Sequence, residues 1–432
     1  MGKYSVVLSI ILGAIIFMYE FIRKRKSKSI DILSVVNLVF MICFVIVPIY
    51  IYMFNPKVSS WAQLVNIEDY YSLKAMLYVI VGYLTLLISI NFSRKWEIIT
   101  RLPTRFHSNP KKVSSYGHFL GILGTISLLV FSISIGGVKN LFTTNTLYRT
   151  GKVEVSSFAF IRNLSLFIPI SAHIFYGLYK FYTKKRFHRH YIFFLLYTFL
   201  SLLVYFNRAS RMGLLSFIIA FFLMNAIYYR KRIFRYIPVI SLLFVIFIYY
   251  GKRIYNFFIV EDFTLKIDNL TLNKIMNEFS FPFYTLTNAM ENSFFEGYPR
   301  LFFDFILGFI NLIPSAILPF DVPMNETQLN TQAFLNISGI PVDIISLGYY
   351  SLGINGIIIL TFLLGFLITS IEKILITKNN ILTLVFYVHF IFFFALLIPY
   401  SGPTNLFKSN FALLFAFLIY LHYFTDGKRR EN

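Results

Sequence analysis

Arg208 and Arg211, in the stretch YFNRASRMGLLSF that runs from Tyr205 to Phe217, are the residues whose type and spacing point most directly to chemistry. They stand between two apolar runs, three positions apart, and that spacing puts both guanidinium groups on one face if they open a helix. A guanidinium fork matches phosphate oxygens two at a time, and the N-terminus of a helix expected over 212–229 adds its own partial positive charge. Together they would suit a diphosphate. An arginine in hydrocarbon costs on the order of 2.5–3.5 kcal/mol by insertion scales and less at the interface, so the pair calls either for an anionic partner or for snorkelling to lipid headgroups. Arg149, Lys252, Arg253 and Arg300 are further cations on what the topology below makes the outer side. Arg162 sits roughly one and a half turns into an apolar helix.

Other chemistries leave no mark. There is no P-loop, no GxGxxG after a strand, no HExxH, no GxSxG and no DxD pair. The seven histidines, at 107, 118, 173, 188, 190, 389 and 422, fall in basic loops or helices, away from the segment richest in carboxylates, so neither a metal nor a cofactor is expected. Cys43, the single cysteine, lies inside an apolar run and offers neither a disulfide framework nor a thiolate site.

The elements that must position these groups follow from hydropathy. Hydrophobic residues make up 57% of the chain, mean hydropathy is +0.69, and windows of about 20 residues such as VVNLVFMICFVIVPIYIYMF carry no charge, the length that crosses a bilayer. Only helices or closed barrels satisfy their backbone in lipid, and the alternation of barrel strands is missing, so an all-α polytopic transmembrane bundle is expected. Eleven helices are expected, over 4–22, 32–54, 71–92, 117–136, 157–179, 191–207, 212–229, 236–251, 350–371, 381–399 and 410–424. The net charge of +21 is gathered in short clusters between these runs, RKRKSK at 23–28 and RKRIFR at 230–235 among them, which is the positive-inside pattern rather than a nucleic-acid surface. With the N-terminus outside and the C-terminus cytoplasmic, 25 of the 40 Lys and Arg fall in the short inner loops. The first run has its positive cluster after it and no small-residue cleavage pattern, so it reads as a spanning helix rather than a signal peptide.

This topology divides the chain into eight helices over 1–250, an outer segment over 251–349, and three helices with a cytoplasmic tail over 350–432. The outer segment holds ten of the nineteen acidic residues. Its apolar piece, LFFDFILGFINLIPSAILPF at 301–320, is broken by Asp304, Gly308, Pro314 and Pro319, and a helix lying against the bundle or dipping into it is expected rather than a full crossing.

The order of elements resembles the membrane polymerases of lipid-linked oligosaccharide repeat units, the Wzy-type O-antigen and capsular polysaccharide polymerases. The likeness is carried by NRASRMGLLSFIIAF before a helix, by the long outer segment after the eighth helix, and by GIPVDIISLGYYSLGINGIIILTFLLGF leading back into the membrane. It covers the whole chain in architecture and those patches in motif. The resemblance implies a metal-independent glycosyltransferase of the bacterial cytoplasmic membrane that joins undecaprenyl-diphosphate-linked oligosaccharides at the outer face, beside a chain-length regulator and a flippase. It implies Arg208 and Arg211 as a diphosphate clamp assisted by Arg253, Arg300 and Arg162, a base among Glu278, Glu291 and Glu296, and sugar stacking on Phe281, Tyr284 and Tyr298. Three other readings stand beside it. A ligase of the same chemistry leads one to expect a histidine in the outer segment, and 251–349 has none. A flippase or transporter leads one to expect internal repeats and broken helices, and a scaffold subunit needs no chemistry at all.

Overall fold

A computed structural model describes residues 2–24, 30–54, 68–95, 109–143, 161–182, 189–229, 238–247, 272–291, 299–313, 318, 320, 322–333, 340–376 and 380–425. The described residues are helical with no strand. The main helices are α1 (Lys3–Lys24), α2 (Ile32–Phe54), α3 (Asp69–Lys95), α4 (Pro110–Ser134), α5 (Ile161–Tyr182), α6 (Arg189–Asn207), α7 (Arg211–Tyr228), α8 (Pro238–Phe247), α9 (Leu272–Glu291), α10 (Phe303–Ile310), α11 (Glu326–Ala333), α12 (Ile344–Ile376), α13 (Ile381–Leu397) and α14 (Pro403–Thr425). Among the described residues nine are long and apolar enough to cross a membrane, and α8 and α13 are shorter apolar helices. The outward faces of the long helices are apolar: Tyr4, Phe17, Ile88, Ile133 and Leu418 are all more than 60% exposed, as befits a surface whose solvent is lipid. The chain is a multi-pass membrane protein.

Local chemistry sets the helix starts. Asp31 caps α2 by accepting from the Ser34 N–H, Asn109 caps α4 ahead of Pro110, Ser210 accepts from the Gly213 N–H at α7, and Asn380 accepts from the Leu382 N–H at α13. Inside α2 the turn Ile42–Ile46 widens to π geometry immediately before Pro48. Proline has no N–H and its ring collides with the carbonyl four residues back, and the wider turn relieves both.

The closest pairing joins α3 to α12, where small residues let the backbones approach. The Ser89 hydroxyl donates to the Phe362 carbonyl at 2.5 Å, and a Cβ added at Gly365 would stand 2.8 Å from the Leu86 carbonyl oxygen. Helix α12 is broken near its start, at Leu352 and Gly353, where Gly353 has φ +60°. The break folds the first two turns back, so that a Cβ on Gly356 would lie 2.0 Å from the Gly348 carbonyl oxygen. The carbonyls of Tyr350 and Ser351, released by the break, accept from the backbone N–H groups of Arg300 and Leu301.

Within the segment 251–349, α9 is buried along nearly its whole second half, from Ser280 to Met290, against α2, α3 and α12. Within the apolar piece at 301–320 the described residues form the eight-residue α10, which lies against the bundle, packing on α14 through Gly308 and a Phe309–Phe407 ring contact at 4.1 Å. Its other face, with Ile306 and Leu301, is exposed. The re-entry helix begins six residues earlier than expected, at Ile344, because Asp343 caps it with bonds from the Ile345 and Ser346 N–H groups.

Candidate functional site

Arg208 and Arg211 do not share a helical face. Helix α6 ends at Asn207 and α7 begins at Arg211, and between them Ala209 takes a left-handed turn with φ +47°. The turn sends the two guanidiniums to different neighbours. Arg208 donates to the Asn163 side-chain oxygen at 3.0 Å, whereas Arg211 reaches α9 and pairs with Glu278 at 3.2 Å. Arg162 crosses in the opposite sense, donating through Nε to the Asn207 side-chain oxygen at 2.8 Å and through Nη2 to the Asn207 carbonyl at 2.6 Å, with its plane 5.5 Å from the Phe131 ring. Two guanidiniums and two asparagine amides therefore interlock where α5 begins and α6 turns into α7, with Phe131 of α4 against the Arg162 guanidinium and Arg211 at the start of α7 reaching away to α9. Burial of the Arg208 guanidinium lowers its pKa, the direction for a cation whose partner is an amide and not a carboxylate. The Arg211–Glu278 pair is the accessible part, with the two side chains 25% and 42% exposed.

The other sequence candidates are placed elsewhere or lie beyond the described residues. Glu291 closes α9 some 13 residues after Glu278, about 20 Å along the axis, so the two carboxylates cannot serve one reacting atom. Burial, with Glu68 beside it, raises the Glu291 pKa. The guanidinium of Arg300 is taken up by Asp304, to which it donates twice at 2.6 Å, and by the Met324 carbonyl at 3.0 Å. Phe281 and Tyr284 are 5% and 1% exposed and belong to the core, where Phe281 meets the Tyr400 ring at 5.1 Å, so neither offers a face for sugar stacking. Arg253, Glu296 and Tyr298 lie outside the described residues, as do Arg149 and Lys252.

Sequence reasoning missed a polar layer built by α10, α11 and the start of α12. Asp304 and Glu326 are both fully buried; Asp304 accepts from the Glu326 N–H at 3.1 Å and holds Arg300, while Glu326 Oε1 accepts from Thr327 and, among the described residues, Oε2 has no hydrogen-bond partner. Burial, then the neighbouring Asp304, pushes the Glu326 carboxyl up to about 7, so it carries a proton at neutral pH for much of the time. Burial likewise lifts Asp343 to about 7. Asn330 ties the layer together by accepting from the Tyr350 hydroxyl at 2.9 Å and donating to the Ile340 and Pro341 carbonyls at 3.3 Å. The i, i+4 spacing of Arg300 and Asp304 was the only local signal for any of these contacts.

Deeper in the bundle, His173 Nδ1 stands 3.1 Å from His389 Nε2, and His173 Nε2 stands 3.1 Å from the Phe217 carbonyl. A carbonyl only accepts, so any hydrogen shared between His173 Nε2 and Phe217 is donated by the histidine. Near the far end of the bundle, Arg23 donates to Glu20 and Asp31, and Asn37 relays Glu20 to the Tyr83 hydroxyl at 3.0 Å. Among the described residues no group of three or more His, Cys, Asp or Glu is arranged to hold a metal ion.

No protein-family model, curated protein or solved structure matches this chain.

Proposed function

We propose that the protein is a polymerase of undecaprenyl-diphosphate-linked oligosaccharide repeat units, acting at the outer face of a bacterial cytoplasmic membrane, with eleven crossings, the N-terminus outside and the C-terminus inside. The observation that carries this reading is the arginine cluster at one end of the bundle, in which the accessible Arg211 is paired with the carboxylate of Glu278. In the neutral resting pair each group holds the other. An incoming diphosphate competes for Arg211 with bidentate geometry, and the exchange frees the Glu278 carboxylate beside the reacting centre. A sugar hydroxyl then forms its bond to the anomeric carbon, the bond from that carbon to the diphosphate oxygen breaks, and the electron pair leaves on the diphosphate. Its growing charge falls to Arg211, with Arg208 and Arg162 behind it, and the hydroxyl proton passes to Glu278. Because diphosphate is a good leaving group, positioning counts for more than the base.

The test is product length. Purified protein given a lipid-diphosphate repeat unit should yield a ladder on a gel, Arg211→Ala should abolish it, and Arg211→Lys should keep only a fraction, since an ammonium makes no fork. Unchanged polymer length in both variants sinks the clamp. A second reading, a flippase for the same lipid, gains from the broken start of α12, since transporters build sites at interrupted helices. Passage of unextended substrate across a vesicle membrane with no ladder decides for it.

A further inference from the structure

The end of the bundle opposite the arginine cluster holds a cleft of about 590 Å³ lined by Lys111, Ser114, Ser115, His118, Arg189 and Phe193. Helices α4 and α6 both begin there. Arg162 marks the other end by lying over Phe131, which is 20 residues beyond Lys111 on α4 and so about 30 Å away along the axis. Neither helix has an acidic residue in its first turn. Helix N-termini favour anions, yet these two carry Lys111, Lys112 and Arg189, and among the described residues no carboxylate pairs with any of the three. Two helix ends and two cations, Lys111 and Arg189, thus meet at one opening, and among the described residues no carboxylate pairs with either. Two serine hydroxyls stand ready as donors, and the His118 ring forms the floor, 4.6 Å from Phe175 and 4.3 Å edge-on from Phe193.

The surface leading away from the cleft is continuous with the apolar membrane face of the bundle. On α4 the exposed positions Ser115, Phe119, Ile122, Ile126, Leu129 and Ile133 follow one another at three- and four-residue steps, a single stripe that starts at the cleft and runs down the membrane face. On α6 the stripe Arg189, Ile192, Leu196 and Phe199 does the same. A free phosphate has no use for two apolar stripes below its site, whereas the acyl chains of a lipid do.

We propose that this cleft binds the phosphate headgroup of an anionic phospholipid, with the acyl chains lying along α4 and α6. On the topology proposed above the lipid belongs to the cytoplasmic leaflet, where basic pockets between helices meet anionic headgroups. The site is independent of the reaction at the other end.

The full-length protein, delipidated in detergent, is titrated with dioleoylphosphatidylglycerol or dioleoylphosphatidylcholine, and bound lipid is counted by native mass spectrometry. Phosphatidylglycerol should bind in preference. The double variant Lys111→Gln/Arg189→Gln should weaken it about thirty-fold, and leave phosphatidylcholine untouched. Both side chains are exposed, so the fold should survive, and Ser115→Trp, which fills the opening from another exposed position, should give the same loss. The control Lys3→Gln/Lys139→Gln removes two exposed cations elsewhere and should change nothing. The proposal is overturned by equal binding of the two lipids, by unaltered affinity in the double variant, by an equal loss in the control, or by inorganic phosphate displacing the lipid.

Discussion

At the scale of single residues, the unusual feature is how carboxylates are shared out between α10 and α11. Asp304 has Arg300, and among the described residues Glu326 has no cation, although both are fully buried. A buried carboxyl without a counter-charge keeps its proton, and this fixes a sign. Raising the folded pKa from an ordinary 4.5 to about 7 means that the native state binds more protons than the unfolded chain between those values. Stability contributed by protonated Glu326 is complete below the unfolded pKa and is lost as pH rises through about 7. The melting midpoint in detergent should therefore fall between pH 5 and pH 8, over a range on the order of 3 kcal/mol at this residue. Glu326→Gln should flatten that dependence, and an unchanged slope would show that Glu326 ionises freely. Asp304→Ala is the harsher change, since it strands the Arg300 guanidinium, and a loss of about 3–5 kcal/mol is expected in the same melting assay.

At the scale of elements, the broken start of α12 is the hinge of the architecture. Gly348 and Gly356 touch through their backbones, and Gly353 turns with positive φ between them. A methyl at Gly356 has nowhere to go, because the neighbour it would strike is the Gly348 carbonyl and no side-chain motion can move that. Gly356→Ala should cost about 1–3 kcal/mol by overpacking, read as a lower melting midpoint. Gly353→Ala meets open space but the wrong dihedral, so its penalty should be smaller, about 1 kcal/mol. If the two rank in the opposite order, the fold-back of α12 is not as described. The same element explains why α9 is buried: the fold-back and the two carbonyls capped by Arg300 and Leu301 hold the acidic segment against the bundle.

At the scale of the whole molecule, orientation is the property with most consequences, since it decides which end meets the outer leaflet. Cys43 is the only cysteine and is buried, so Cys43→Ala gives a background for single reporters. In intact cells an impermeant maleimide should label Asn140→Cys and spare Lys112→Cys, and the reverse pattern would invert every assignment of side. The positions of the long apolar helices were legible from hydropathy alone, because a stretch that must satisfy its own backbone in lipid advertises itself over some 20 residues. The starts at Ile32, Arg211 and Ile381 fall within a residue of where hydropathy puts them, whereas the helix expected from 117 begins at Pro110, because Asn109 and Pro110 open it through a polar first turn that hydropathy does not register. Contacts between distant segments carry no such signature. That Arg211 would leave Arg208 and cross to Glu278, that Phe281 and Tyr284 would be core, and that Glu326 would be buried without a cation were settled only by tertiary packing. The physical reason is range: hydropathy, capping and charge asymmetry act within a turn or a span, whereas the left-handed residue at Ala209 and the fold-back at Gly353 take their conformations from neighbours scores of residues away.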